Sequence, residues 1–120
     1  MQLVPHVFTG IVQKGIGRGK ALGFPTANIP LEDTAVSGIF AALVLVDGKE
    51  YQAAAFADQK RDVLEAHLLD AGLDLYGKEI SIEFLHKIRE SRVFTDDAEL
   101  RVTIAGDIAA VREYFKIRDI

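Results

Sequence analysis

The chain has 120 residues, enough for one domain that buries roughly 60–70% of its unfolded surface around a single core. Hydrophobic residues at 49% and charged residues at 27% are ordinary for a globular protein. A net charge of −4 disfavours general nucleic-acid binding, and the absence of cysteine excludes disulfides and thiol chemistry. No run approaches the roughly 18 apolar residues of a membrane span, and the start lacks a signal-peptide pattern, so the cytoplasm is the expected location.

Residues 7–13 read as a first strand that runs into a glycine-rich loop. A short extended piece at 27–29 follows and is stopped by Pro30. Residues 31–37 are polar enough to be a connection, and 39–46 form a continuous apolar run with β-branched members. Asp47-Gly48 is a strong two-residue hairpin signal, so 49–56 should return antiparallel even though its alanines are poor strand formers. The charged stretch 57–62 reads as loop and 63–69 as a further strand. Alternation puts Leu64, Ala66 and Leu68 on one face of that strand, with Glu65, His67 and Leu69 on the other. Residues 70–78 turn, and 79–88 alternate, with Ile80, Ile82 and Phe84 on one face and Ser81, Glu83 and Leu85 opposite.

That makes about six extended segments in antiparallel order, enough to close a small barrel and remove exposed edges. The chain then ends in a helix. Asp96 and Glu99 form a capping pair at its start, and Leu100, Ile104, Ile108, Val111 and Phe115 mark one buried face. Gly106 inside it weakens the helix by about 1 kcal/mol relative to alanine. The pattern as a whole predicts a mostly β domain with one C-terminal helix.

Chemistry concentrates in the loop 14–28. Its glycines permit backbone N–H groups to converge on an anion, and Lys14, Arg18 and Lys20 add positive charge. Thr26 and Asn28 supply a hydroxyl and an amide oxygen, donors that suit a hard cation such as Mg²⁺. A Walker loop is excluded, because Ala21 follows Gly19-Lys20 and the required upstream glycine is Lys14. A dinucleotide fingerprint needs a helix directly after the glycines, against which Gly23 and Pro25 argue. A nucleotide–metal complex is one reading and an ordinary surface loop the other. Glu65, an acid between apolar neighbours on a strand, is a candidate general base if it faces a pocket, or a solvent-facing residue if it does not. His6, His67 and His86 lie on separate elements and make no metal site. His67 shares a face with Glu65 and is either its orienter or simply a polar strand residue.

The whole string is more specific than its parts. Gly10-Ile11-Val12 with Gly15, then Gly17-Arg18-Gly19, then Leu22-Gly23-Phe24-Pro25-Thr26-Ala27-Asn28-Ile29 resembles the signature of the riboflavin kinase family. Leu64-Glu65-Ala66-His67-Leu68-Leu69-Asp70 followed by Asp74-Leu75-Tyr76-Gly77-Lys78 resembles its second motif. Ile88-Arg89-Glu90 with Phe94 resembles a third, and the matches run in order from about Phe8 to Arg112.

This resemblance implies a six-stranded antiparallel Greek-key β-barrel with a C-terminal α-helix, filling 1–120 as one kinase domain. It implies transfer of the γ-phosphate of ATP to the ribityl 5′-hydroxyl of riboflavin, giving FMN. Glu65 would be the catalytic base, and Gly15, Gly17, Arg18, Gly19, Lys20 and Thr26 would hold the phosphates. Thr26 and Asn28 would bind Mg²⁺, and Arg89, Glu90 and Phe94 would flank the flavin. The expected partners are these small molecules, with no nucleic acid or membrane, and a monomer is expected. These residues contain no counterpart of the adenylyltransferase domain carried by many bacterial members, so the product should stop at FMN. One stretch departs from the family: residues 52–62 replace an Asn-x-Gly segment and a Pro-Thr pair, and Thr103 stands where Gln is common. That departure leaves a second possibility, a flavin- or nucleotide-binding module derived from the kinase barrel that transfers nothing. A third is a small β-barrel interaction domain, which would leave the glycine–cation loop unexplained.

Overall fold

A computed structural model describes residues 6–15, 17–33 and 35–118. The strands are β1 (Val7–Ile11), β2 (Ala27–Pro30), β3 (Gly38–Val46), β4 (Lys49–Asp58), β5 (Val63–Leu68) and β6 (Glu79–Arg89). They form one antiparallel sheet in the order β1-β6-β3-β4-β5-β2. Its two edges meet where the Gln13 N–H donates to the Asn28 carbonyl at 2.8 Å, so the barrel is nearly closed. The first strand ends two residues earlier than its sequence suggests because its partner changes. Through Ile11 it pairs with β6, Val12 then bonds to Gly77 and Lys78, and Gln13 reaches β2.

Alternation decides which side chains fill the barrel. Val44, Ala53, Ala55, Leu64, Ala66, Ile80, Ile82 and Phe84 are all part of the interior core, together with Ile29 from β2. Strand β4 extends two residues beyond its expected end. Ala57 faces inward and pairs with both Gly38 and Leu64, so only the residues after Asp58 turn. The Asp47-Gly48 turn has φ of 52° and 78°, the paired left-handed conformations of a two-residue hairpin matched to strand twist.

Helix α2 (Asp97–Arg118) covers the outside of the sheet. Asp96 caps it by accepting the Ala98 N–H at 2.7 Å, whereas Glu99 pairs with Arg92 instead of returning to the cap. Ile108, Val111 and Phe115 pack on Ala41, Ala54 and Leu69 in a second core outside the barrel. Leu100 and Ile104, on the same stripe, are only half-buried. Toward the helix end, Arg112 forks onto both oxygens of Asp70 at 2.9 Å, tying α2 to the turn after β5.

The pairing of β3 with β6 shifts register twice, between Ile39 and Phe40 and between Ala41 and Ala42. Leu85 and Ile88 are the extra residues, and both pack in the outer core beneath α2. These bulges set the direction in which β6 delivers Arg89.

A short helix, α1 (Arg18–Ala21), lies within the glycine loop where sequence argued against a helix. It is one turn long, and Gly23 with φ of 95° follows it.

Gly106 sits in the exposed part of α2, and a Cβ there would meet nothing within 4 Å. Gly106→Ala is therefore expected to stabilise the protein by about 1 kcal/mol and raise the melting temperature by about 4 °C. Thermal denaturation followed by circular dichroism measures this, and an unchanged or lowered midpoint would contradict the open environment of Gly106.

Candidate active site

One transverse row of residues crosses five strands on the outer face. Asn28 of β2 pairs with Glu65 of β5, Glu65 with Phe56 of β4, Phe56 with Ile39 of β3, and Ile39 with Arg89 of β6. Cross-strand partners share a face, so these side chains stand side by side. Glu65, Phe56, Ile39 and Arg89 line a cavity of about 550 Å³, together with Phe94, Leu100 and Ile104. The half-exposure of Leu100 and Ile104 has this cause, since the first turns of α2 face the cavity and the later turns face the core.

At one end of the row, oxygen atoms converge. The Thr26 hydroxyl lies 3.1 Å from Glu65 Oε1 and 3.4 Å from Asn28 Oδ1, and its single proton can serve one of them at a time. Asn28 is 5% exposed, and a Cβ on Gly15 would collide with its side-chain amide nitrogen. Glycine at position 15 is thus required for the loop to lie against Asn28. Arg61 reaches Glu65 Oε2 at 3.5 Å and Asp58 Oδ2 at 3.4 Å. Burial pushes the Glu65 carboxyl above its ordinary value, against the Thr26 hydrogen bond and the Arg61 charge, with Asp58 adding to the rise. A carboxylate so placed is better able to accept a proton near neutral pH than an exposed one.

His67 does not orient Glu65. Its Nδ1 lies 2.8 Å from the Pro25 carbonyl and its ring meets Phe24 edge-on, so it braces the segment leading to Thr26. Gly17 has φ of 76°, and Lys20 is exposed and outside the cavity wall. Arg18 and Gly19 open helix α1, their side-chain surroundings lie outside the described residues, and Ile16 lies outside them altogether.

At the other end, Arg89 and Phe94 line the cavity, with the Arg89 guanidinium 5.8 Å and that of Arg92 4.6 Å from the Phe94 ring centre. Glu90 is not in the wall: it is exposed and pairs with Lys87 at 2.6 Å. Ile39, Phe56, Arg61 and Asp107 belong to the site or its supports and were not singled out from sequence. Asp107 alone carried a usable signal, as an acid beside Ile108 on the buried stripe of α2. Among the described residues no three His, Cys, Asp or Glu side chains cluster as a metal site. Mg²⁺ does not need one, because it takes few protein oxygens and fills its shell with water and phosphate. The three oxygens around Thr26 fit that demand.

Comparison with known proteins accords with this geometry. The flavokinase family model, described as riboflavin kinase, matches residues 3–115. The chain belongs to the riboflavin kinase family. An Escherichia coli K12 relative, described as bifunctional riboflavin kinase/FMN adenylyltransferase, is 38% identical across 92% of this chain and 38% of its own length. The riboflavin kinase structure from Trypanosoma brucei superposes with a TM-score of 0.66 at 27% identity, covering 97% of this chain and 83% of that one. A Streptococcus pneumoniae structure described as a macrolide-efflux protein gives a TM-score of 0.77 at 26% identity, over 90% of this chain and 38% of that one. The chain spans 19% and 38% of the length of two curated relatives it matches. The chain is a six-stranded, nearly closed barrel with one C-terminal helix, and it shares its fold with that riboflavin kinase structure.

The raised proton affinity of Glu65 has a consequence for stability. Because its folded value lies above the ordinary 4.5, its contribution is fully present below that pH and is lost as pH rises through the folded value. At neutral pH the partly buried charge therefore opposes folding. Glu65→Gln should melt higher than the parent at pH 7, and the gap should close as pH falls below about 4.5. Thermal melts across pH test this, and a gap independent of pH would contradict a burial-raised Glu65.

Proposed function

We propose that the protein is an ATP:riboflavin 5′-phosphotransferase that makes FMN, with Glu65 as general base. The observation that carries this reading is the placement of Glu65, hydrogen-bonded to Thr26, in the wall of an otherwise largely apolar cavity. Family membership gives it the substrate pair.

In this reading the isoalloxazine ring lies among Ile39, Phe56, Phe94 and Ile104, whose apolar surfaces suit a flat aromatic ligand. The ribityl chain runs toward Glu65. Glu65 accepts the proton of the terminal hydroxyl as that oxygen attacks the γ-phosphorus, and the bond from phosphorus to the bridging oxygen of ADP breaks. Gly15, Gly17 and Gly19 offer backbone donors to the phosphates, and Arg18, Lys20 and Thr26 add charge and a hydroxyl. Thr26 and Asn28 would hold Mg²⁺, which when bound neutralises charge on the phosphate oxygens. Thr26 would then give up its bond to Glu65 and leave that carboxylate free to take the substrate proton. Arg61 favours the ionised form of Glu65, partly offsetting the effect of burial.

One chain supplies every wall of the cavity, so a monomer suffices. Among the described residues no helix is long and apolar enough to cross a membrane, and dependence on ATP suits a cytoplasmic protein.

The test is incubation with riboflavin, ATP and Mg²⁺, followed by chromatography for FMN. The parent should form FMN, and Glu65→Gln should lose about 10²–10⁴-fold in rate while still quenching riboflavin fluorescence as the parent does. Full activity in the variant would remove Glu65 from the mechanism. Binding without turnover in the parent would make the protein a flavin-holding module.

A further inference from the structure

We propose that Asp107 is a positioning residue for flavin binding: it pins Arg89, and through Arg89 it fixes the segment 90–96 that carries Arg92 and Phe94 over the cavity. This rests on the kinase reading above.

Asp107 is the one acid among the described residues that is buried, at 4% exposure on α2. A carboxylate taken out of water needs strong partners. Arg89 supplies them with Nε to Oδ1 and Nη2 to Oδ2, each at 2.8 Å, a fork that fixes both planes. The remaining nitrogen, Nη1, donates to the Glu90 carbonyl at 2.9 Å. All three nitrogens of the guanidinium are thus directed at protein. Arg89 stands in the cavity wall with its guanidinium held in place by these three bonds, which occupy three of its five N–H groups.

These bonds join three pieces of chain: the end of β6, the first residue of the connecting segment and the middle of α2. The other anchors of that segment are long or exposed. Ser91 Oγ accepts the Gly38 N–H at 3.1 Å, Glu90 meets Lys87 at 2.6 Å and Ser37 at 3.4 Å on the surface, and Arg92 reaches Thr103 at 3.5 Å and Glu99 in a pair more than half exposed on both sides. Gly38 itself is needed for the approach, since its φ is 104° and a Cβ would come within 2.6 Å of the Arg89 carbonyl oxygen. The location of Phe94 over the cavity therefore depends chiefly on the Arg89–Asp107 fork. Loosening it makes ligand binding bear the ordering of the segment.

The test uses steady-state kinetics of FMN formation and, separately, riboflavin binding by fluorescence quenching without nucleotide. Asp107→Asn should raise KM for riboflavin and weaken its binding roughly tenfold, with KM for MgATP changed by less than about twofold. Arg89→Ala should do the same, and the double variant should be no worse than either, because both changes cut one link. Arg89→Lys keeps the buried carboxylate paired, guarding against a failure to fold, but loses the fork; it too should raise KM for riboflavin selectively. Parent-like riboflavin binding in Asp107→Asn or Arg89→Lys would overturn the proposal. So would losses that multiply in the double variant, which would put Arg89 directly on the flavin. Equal rises in both KM values with a lowered melting temperature would reduce the pair to general stability. A parent that makes no FMN overturns the kinase reading instead, and the binding arm still decides the role of Asp107.

Discussion

The close approach of α2 to the sheet is the constraint from which the site follows. Ala41 and Ala54 face each other across β3 and β4, both fully buried, with Val111 and Phe115 of the helix in the same cluster. Alanine is a poor strand former, and three in a row at 53–55 looks like a weak strand. The row makes sense once β4 is seen to be covered on both sides. Ala53 and Ala55 fill the barrel, and Ala54 lets the helix come down on the outside. Larger side chains at 41 or 54 would lift α2 and displace the part of the cavity wall that its first turns supply.

With the barrel interior filled by side chains, binding is left to the outer face. The two-residue period of a strand then divides the labour within β5: Leu64 and Ala66 pack inward while Glu65 and His67 turn outward to the site. Register adds the second dimension. Asn28, Glu65, Phe56, Ile39 and Arg89 are far apart in sequence, yet pairing lines them up in one row from oxygen donors at one end to a pinned cation at the other. A slip of one residue in any strand would send its member of that row into the core.

Much of this was legible in the sequence, for identifiable reasons. The inward set of β5 and β6, the Asp47-Gly48 hairpin and the apolar stripe of α2 follow from local periodicity and turn chemistry. Thr26, Asn28 and Glu65 could be singled out because their residue types suit metal and proton chemistry. What local pattern could not supply was anything set by pairing at a distance. The early end of β1 comes from a change of partner at Val12, and the extra residues of β4 come from Ala57 bonding on both sides. Ile39 and Phe56 look like any other core residues until register puts them beside Glu65. The ion pair of Arg89 was invisible because its partner Asp107 lies 18 positions away on another element. For His67 the choice between orienting Glu65 and being a plain strand residue could not be made locally, because its partner, the Pro25 carbonyl, lies 42 positions earlier.

The proposed kinase chemistry requires reaction on the outer face of the barrel, beside Glu65, under the first turns of α2. A crystal structure of the protein with riboflavin, ADP and Mg²⁺ tests it most directly. The expected result is the flavin ring between Phe56 and Phe94, its terminal ribityl oxygen within hydrogen-bonding distance of Glu65, and the metal on Thr26 and Asn28. A flavin bound elsewhere, with Glu65 still bonded to Thr26 and no ligand atom near it, would contradict it.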